Sequence, residues 1–207
     1  MHPNNWLVPQ ARLIVFGIPK CASSSLKRAF AVAMKLMDPA DPGMPIRQVN
    51  KQLHKVTPAE AAALTRHGWR GVTITRDPYD RFMSLWNERV RGMPESRRGF
   101  PADVPVLEFA QWLAARGDDA VDHHARLQLS AISHGGEIIP GIRLAFEQLP
   151  KSWDRFRREF PEIGLGAFPH LRKRRVGEDA RSALCAQTRR LIAERYAGDF
   201  EAFGYRP

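Results

Sequence analysis

The stretch "IVFGIPKCASSSLKRAF", Ile14 to Phe30, constrains this chain more than any other. A short apolar run stopped by Pro19 reads as a buried strand, and the basic segment beyond the three serines reads as a helix. Ser24 or Ser25 is placed to cap that helix, which the pattern carries to about Met37. A strand turning directly into a helix leaves the first helical N–H groups without internal partners, aimed at one spot of partial positive charge. That is an anion-binding corner. Ser23, Ser24 and Ser25 are small enough to admit a close backbone approach and add hydroxyl donors, while Lys20 adds a mobile full charge. The loop lacks the G-x-x-x-x-G-K-[ST] pattern of ATP- and GTP-hydrolysing proteins. Taken alone, it also fits a serine-rich turn with a solvated lysine.

The rest of the chain alternates in the same way. "ARLIVFGI" (Ala11–Ile18), "WRGVTITR" (Trp69–Arg76) and "GIRLAFE" (Gly141–Glu147) are strand candidates. Between them lie helix signals: the capping box from Thr57 to Glu60 with Pro58 at the first position, Asp77-Pro78 before "YDRFMSLWNERV", and "VLEFAQWLAARG" ending at Gly117. "LPKSWDRFRREF" and "ARSALCAQTRRLIAERY" read as helices with basic outer faces. Asp38–His54 and Arg91–Pro105 read as loops. This order predicts an α/β fold with a mainly parallel central sheet, in a single domain of residues 1–207.

Composition narrows the partners. The net charge of +10 is concentrated between Lys151 and Arg195, which holds twelve basic and six acidic residues. Such a balance favours anionic ligands: a nucleotide, a sulfated or carboxylated glycan, nucleic acid or a membrane surface. No apolar run approaches the ~20 residues that cross a bilayer. No basic segment followed by an apolar signal region opens the chain, which predicts a cytoplasmic location. Two cysteines, Cys21 and Cys185, make no disulfide framework, and no spacing typical of a metal site occurs. His123 and His124, being adjacent, are expected to point apart, with no metal role.

A second corner follows the second strand, in "ITRDPYDRFMSLW". Arg76 ends the strand, Asp77-Pro78 opens the next helix, and Ser84 lies two turns into it. Asp77, Asp80 and Arg81 read as structural, a cap and an ion-pair partner. In a parallel sheet both corners fall at strand carboxyl ends, where α/β proteins bind ligands.

Together the corners resemble the sulfotransferases that use 3′-phosphoadenosine 5′-phosphosulfate (PAPS), above all the carbohydrate branch with its heparan uronosyl and chondroitin sulfotransferases and their bacterial relatives. "IPKCASSSL" is similar to that family's 5′-phosphosulfate loop, and "TRDPYDRFMS" to its 3′-phosphate motif, an Arg and a Ser eight residues apart, here Arg76 and Ser84. "LAFEQLPKSWDRF", "FPHLRKRR" and "ERYAGDFEAFGY" resemble later segments of the branch. Cys21 departs from the Thr common at its place, and reads as a small buried filler or a reactive thiol. The resemblance implies a P-loop-NTPase-like three-layer α/β/α fold. It also implies sulfuryl transfer from PAPS, leaving 3′-phosphoadenosine 5′-phosphate (PAP), with no metal. The donor-binding residues would be Lys20, Cys21, Ala22, Ser23, Ser24, Ser25, Arg76 and Ser84. Lys173 and Arg174, in "HLRKRR", would close over the 3′-phosphate or receive an anionic acceptor; a solvated basic loop fits them as well.

Within that reading Lys20 stabilises the leaving phosphate, and a His takes the acceptor proton. His54, His67, His123, His124, His134 and His170 are the candidates. His54 ranks first, because the heparan uronosyl branch carries a catalytic His at what looks like the matching place. His124 in "DHHARLQ", similar to a His-x-x-x-Gln pattern of the wider branch, ranks second. The acceptor would be a hydroxyl on a glycan or glycoconjugate, with no nucleic-acid partner. Two other classes stay open: a nucleotide-dependent kinase with a degenerate loop, and a non-catalytic basic module for polyanions.

Overall fold

The computed structural model describes residues 4–38, 44–96, 99–169 and 184–207. In chain order these form β1 (Asn5–Val8), β2 (Leu13–Phe16), α1 (Ser23–Ala33), α2 (Ile46–Gln52), β3 (Lys55–Val56), α3 (Pro58–Arg66) and β4 (Arg70–Thr75). There follow α4 (Pro78–Arg89), α5 (Val106–Ala114), α6 (Gln128–Ile132), β5 (Ser133–His134), β6 (Glu137–Ile138) and β7 (Ile142–Ala145). The last are α7 (Leu149–Glu159), α8 (Ala186–Arg195) and α9 (Ala197–Phe203). They divide into two compact units: the described residues of Met1–Thr75 with Ala131–Lys173, and those of Arg76–Ser130 with Arg174–Pro207.

The first unit is built on a five-stranded sheet of order β3-β1-β2-β4-β7. β2, β4 and β7 are parallel neighbours, with Phe16 opposite Thr73 and Thr75 opposite Ala145. β1 runs antiparallel to both β2 and β3, so every strand but β1 points one way. All four residues of β2 are fully buried, the continuous apolar run of a strand covered on both faces. Phe30 of α1 makes edge contacts with Trp6 of β1 and with Trp153 and Phe156 of α7, at centroid distances of 6.3, 6.2 and 6.4 Å. The expected α/β architecture, a mainly parallel sheet flanked by helices, is what the chain adopts.

Three local expectations are corrected. The strand anticipated from Ala11 to Ile18 is the second arm of a hairpin: β1 pairs with β2 across a 3₁₀ turn at Pro9–Ala11, where Arg12 turns with φ 45°. α1 is not capped by Ser24 or Ser25. Its N-cap is Ala22, reached through left-handed backbone at Lys20 and Ala22, and it ends at Ala33 rather than near Met37, because the chain turns left-handed at Lys35 (φ 57°). Within the segment taken as loop, Ile46–Gln52 is helix α2. The caps at Thr57 and Asp77 form as anticipated: Thr57 Oγ1 accepts from Glu60 N while Glu60 accepts from Thr57 N, and Asp77 accepts from Tyr79 N and Asp80 N. The predicted helix at 180–196 is seen as α8 from Ala186, residues 180–183 lying outside the described ones.

The second unit has its own aromatic core. Phe82 of α4 stacks on Phe109 of α5 at 5.2 Å, and Tyr79 meets Phe200 of α9 edge-on at 5.2 Å. Phe200 belongs to this core and Tyr205 packs against it, so the tail docks there, and Phe203 is buried as well. Trp86 and Trp112 pack against it half-buried, and Trp86 Nε1 donates to Val104 O at 2.9 Å.

One charge in the first unit is costly. Lys27 of α1 is only 7% exposed, its ammonium 5.8 Å from the Trp6 ring centroid. Burial, helped by the positive charge of Lys55, lowers its pKa to about 8. An unfolded chain therefore holds this proton more tightly, and stability should climb with pH between about 8 and 10.5. Below pH 8 the cost is constant, at roughly 3 kcal/mol from the size of the shift. Lys27→Met should raise the melting temperature at pH 7, by an increment that shrinks as the pH approaches 10. A lower melting temperature at pH 7 would show that the ammonium stabilises the fold.

Candidate functional site

The first corner begins where β2 stops. Gly17 N donates to Asn4 O at 2.9 Å and the Asn4 side-chain amide donates to Gly17 O, an approach so close that a Cβ on Gly17 would fall 2.6 Å from Asn4 Nδ2. Beyond it the loop takes unusual backbone: Lys20 has φ 69° and Ala22 has φ 55°. Left-handed conformation at a non-glycine residue costs about 1–3 kcal/mol, and it concentrates at ligand-gripping loops. Such backbone turns N–H groups to one side, making a concavity suited to an anion. Ala22, as N-cap of α1, has no side chain with which to satisfy the helix amides. Ser23 and Ser24 are half-buried beside them, Ser25 is buried, and Lys20 is half-buried. Cys21 is 1% exposed, with its N–H on Ile18 O at 3.2 Å, which makes it the packed filler of the two readings offered for it.

The second corner follows β4, the parallel neighbour of β2, so the two strands' carboxyl ends share one edge of the sheet. Arg76 comes one peptide bond beyond Thr75 and is 7% exposed. Its own N–H and C=O are held by Gln128: Oε1 accepts from Arg76 N at 2.9 Å, and Nε2 donates to Arg76 O at 2.8 Å. Asp77 caps α4, and Ser84 lies half-buried one turn beyond Asp80 and Arg81. Arg81 is 2% exposed. It donates to His124 O at 3.2 Å and lies 5.6 Å from the Tyr196 ring, so its role is structural, as expected.

The histidines sort by environment. His54 is exposed just ahead of β3, its carbonyl accepting from Leu7 N at 2.9 Å. His123 and His124 do not diverge, contrary to expectation: they sit in a turn closed by Ala125 N on Asp122 O at 2.8 Å, and their rings lie 4.1 Å apart. His124 Nδ1 is 2.6 Å from Asp122 Oδ1, and its Nε2 is 3.4 Å from Nη2 of Arg89. A guanidinium can only donate, so Nε2 is the acceptor and the ring proton sits on Nδ1, toward the carboxylate. Burial, together with the positive charges of His123 and Arg89, outweighs Asp122 and lowers the His124 pKa to about 4. The imidazole is therefore neutral at pH 7, with a fixed tautomer.

A sequence model described as "Sulfotransferase family" matches residues 3–206. The chain belongs to the sulfotransferase family. No curated protein and no solved structure matches it at a significant level. Its chemistry is sulfuryl transfer, with a hydroxyl-bearing group as acceptor.

In this sulfotransferase the sequence pointed to Lys20, Ser23–Ser25, Arg76 and Ser84; Lys20, the serines and Arg76 lie at strand-to-helix corners, and Ser84 lies two turns into α4. Lys173, Arg174 and His170 fall outside the described residues. The sequence reading did not single out Asp122, Arg89 or Asp199; an Asp two residues before a His, in a segment with no periodicity, was the one available signal for the first. Asp122, His123 and His124 also offer donor atoms within 4.8 Å of one another, the spacing of a metal site. The Asp122 oxygens already face both Nδ1 atoms, at 2.6 and 3.4 Å, so an ion would have to displace those contacts. Nitrogen-detected NMR of the sulfotransferase should show His124 protonated on Nδ1 alone at pH 7, titrating near pH 4; a doubly protonated ring at pH 6 would refute this electrostatic picture.

Proposed function

We propose that this sulfotransferase moves the sulfuryl group of PAPS to a hydroxyl of a carbohydrate acceptor, releasing PAP. The observations that carry the reading are the anion-suited loop after β2, which enters α1 with no side-chain cap at Ala22, and the nearly buried Arg76 just past β4. A donor with a phosphosulfate at one end and a 3′-phosphate at the other needs two such places. The loop from Lys20 to Ser25 takes the phosphosulfate; Arg76 and Ser84 take the 3′-phosphate. The first grip rests on N–H groups, hydroxyls and the charge of Lys20, the second on the Arg76 guanidinium and the Ser84 hydroxyl, and neither needs a metal ion.

The reaction is an in-line displacement at sulfur. The acceptor oxygen bonds to sulfur as the bond from sulfur to the 5′-phosphate oxygen breaks, and negative charge gathers on that phosphate, where Lys20 meets it. The acceptor's proton goes to a base. We assign that role to His124 in preference to His54, which the sequence ranked first. Asp122 holds His124 Nδ1–H, so Nε2 keeps its lone pair, and an entering hydroxyl would replace Arg89 there. His54 has no such orienting carboxylate among its described contacts. A base kept neutral to about pH 4 leaves the acid limb of kcat/KM below about pH 5. An ordinary imidazole would place that limb near pH ~6.5.

Calorimetry with PAP tests the donor. Tight binding without divalent metal, weakened at least tenfold (about 1.4 kcal/mol) by Arg76→Ala, supports the reading. Tighter binding of magnesium-ATP would indicate a kinase, and binding of neither a polyanion module. Labelled PAPS assayed against glycans, phenols and lipids identifies the acceptor. With that acceptor, His124→Ala should lower turnover by about 10²–10⁴ while sparing PAP affinity, and His54→Ala should retain activity. The reverse pattern returns the base to His54.

A further inference from the structure

Gln128 is fully buried, and its carboxamide accepts from the Arg76 amide, donates to the Arg76 carbonyl and also hydrogen-bonds the Asp199 carboxylate. At this point the sheet has ended: the last paired residue of β4 is Thr75, opposite Ala145. The next peptide groups still need partners, because burial without them is costly. Gln128 supplies both from a side chain, as a neighbouring strand would have done. Gln128 is itself anchored. Asp199 of α9, fully buried, accepts from Gln128 N through Oδ2 and from Leu129 N through Oδ1, each at 2.9 Å. The charge of Arg81 faces that carboxylate, and Tyr196 Oη donates to Ala125 O at 2.9 Å. The segment carrying Gln128 is thus fixed to the carboxyl-terminal helices from two sides.

We propose that Gln128 is a positioning residue for Arg76, and that Asp199, by holding Gln128, lets the carboxyl-terminal tail set the affinity for the donor's 3′-phosphate. This rests on the assignment of Arg76 to that phosphate. The clamp fixes where the Arg76 Cα–Cβ bond points, so its loss leaves the guanidinium present but misdirected. Binding then weakens at the donor, whereas the chemical step, which uses groups elsewhere, does not.

The test is a double-mutant cycle read by PAP calorimetry and donor kinetics on the full chain. Gln128→Met keeps the volume and removes both hydrogen bonds; Asp199→Asn is the gentler second variant. Each should raise PAP Kd and donor KM, Gln128→Met by about tenfold (about 1.4 kcal/mol), with kcat at saturating donor within about twofold. Combining Gln128→Met with Arg76→Ala should weaken binding no further than Arg76→Ala alone. Additive losses, or a lowered melting temperature with unchanged PAP affinity in both single variants, would overturn the proposal and leave Gln128 a purely structural residue. If the unaltered protein takes no PAP, the donor assignment fails instead. The clamp is then judged by hydrogen exchange at the Arg76 amide, slow in the unaltered chain and fast in Gln128→Met; equal rates would refute it.

Discussion

The parallel pairing of β2 with β4 is the constraint from which the rest follows. With Phe16 opposite Thr73, and Thr73 Oγ1 donating to Phe16 O at 3.0 Å, both strands deliver their carboxyl ends to one edge of the sheet. A parallel pair cannot be closed by a tight turn, so each strand must leave through a crossover. The helix-bearing corner is the result, and a helix entered from a strand presents unsatisfied amides at that same edge. After β2, where Ala22 has no side chain to cap α1, those amides make an anion corner, with Lys20 and the serines around it; after β4 the Asp77 carboxylate already takes the amides of Tyr79 and Asp80.

What the sequence disclosed, and what it hid, divides by the range of the interaction. The capping box from Thr57 to Glu60 and the Asp77-Pro78 start depend on three or four successive residues, and they form as read. β4 was legible because its β-branched run is buried along nearly its whole length. β1 was missed because one polar and three apolar residues before Pro9 carry no more signal than a loop; only pairing with β2 and β3 makes them a strand. The left-handed turns at Lys20 and Ala22 could not be inferred, since neither residue favours that region and the surrounding fold must impose it. The Asp122–His124 contact is close in sequence, yet it went unread, and the adjacent His123 and His124 were expected to point apart. Alternation and helical periodicity both separate adjacent side chains, and the segment follows neither.

Asp199 is the least legible and the most consequential of these. Nothing in "ERYAGDFEAFGY" marks its Asp as interior, and a lone carboxylate in that tail reads as solvated. Buried, it is raised above the ordinary carboxylate range by desolvation, with the charge of Arg81 and the amides of Gln128 and Leu129 acting in the opposite sense. Such a group persists only where every lone pair has a donor, because an unpaired carboxylate inside a protein costs several kcal/mol. That requirement ties residues some seventy positions apart into one geometry, which composition and periodicity cannot disclose.

The same reasoning ties His124 and Arg76 to one cluster of polar contacts in the second unit. Arg81 reaches the carbonyl of His124 and faces Asp199; Asp199 holds Gln128; Gln128 holds Arg76. The links through Gln128 are buried hydrogen bonds, and such bonds tolerate little displacement, since lengthening one strands its partner. Two sets of hydrogen bonds, joined by the charge contact of Arg81 with Asp199, thus hold the backbones of His124 and Arg76 within one unit.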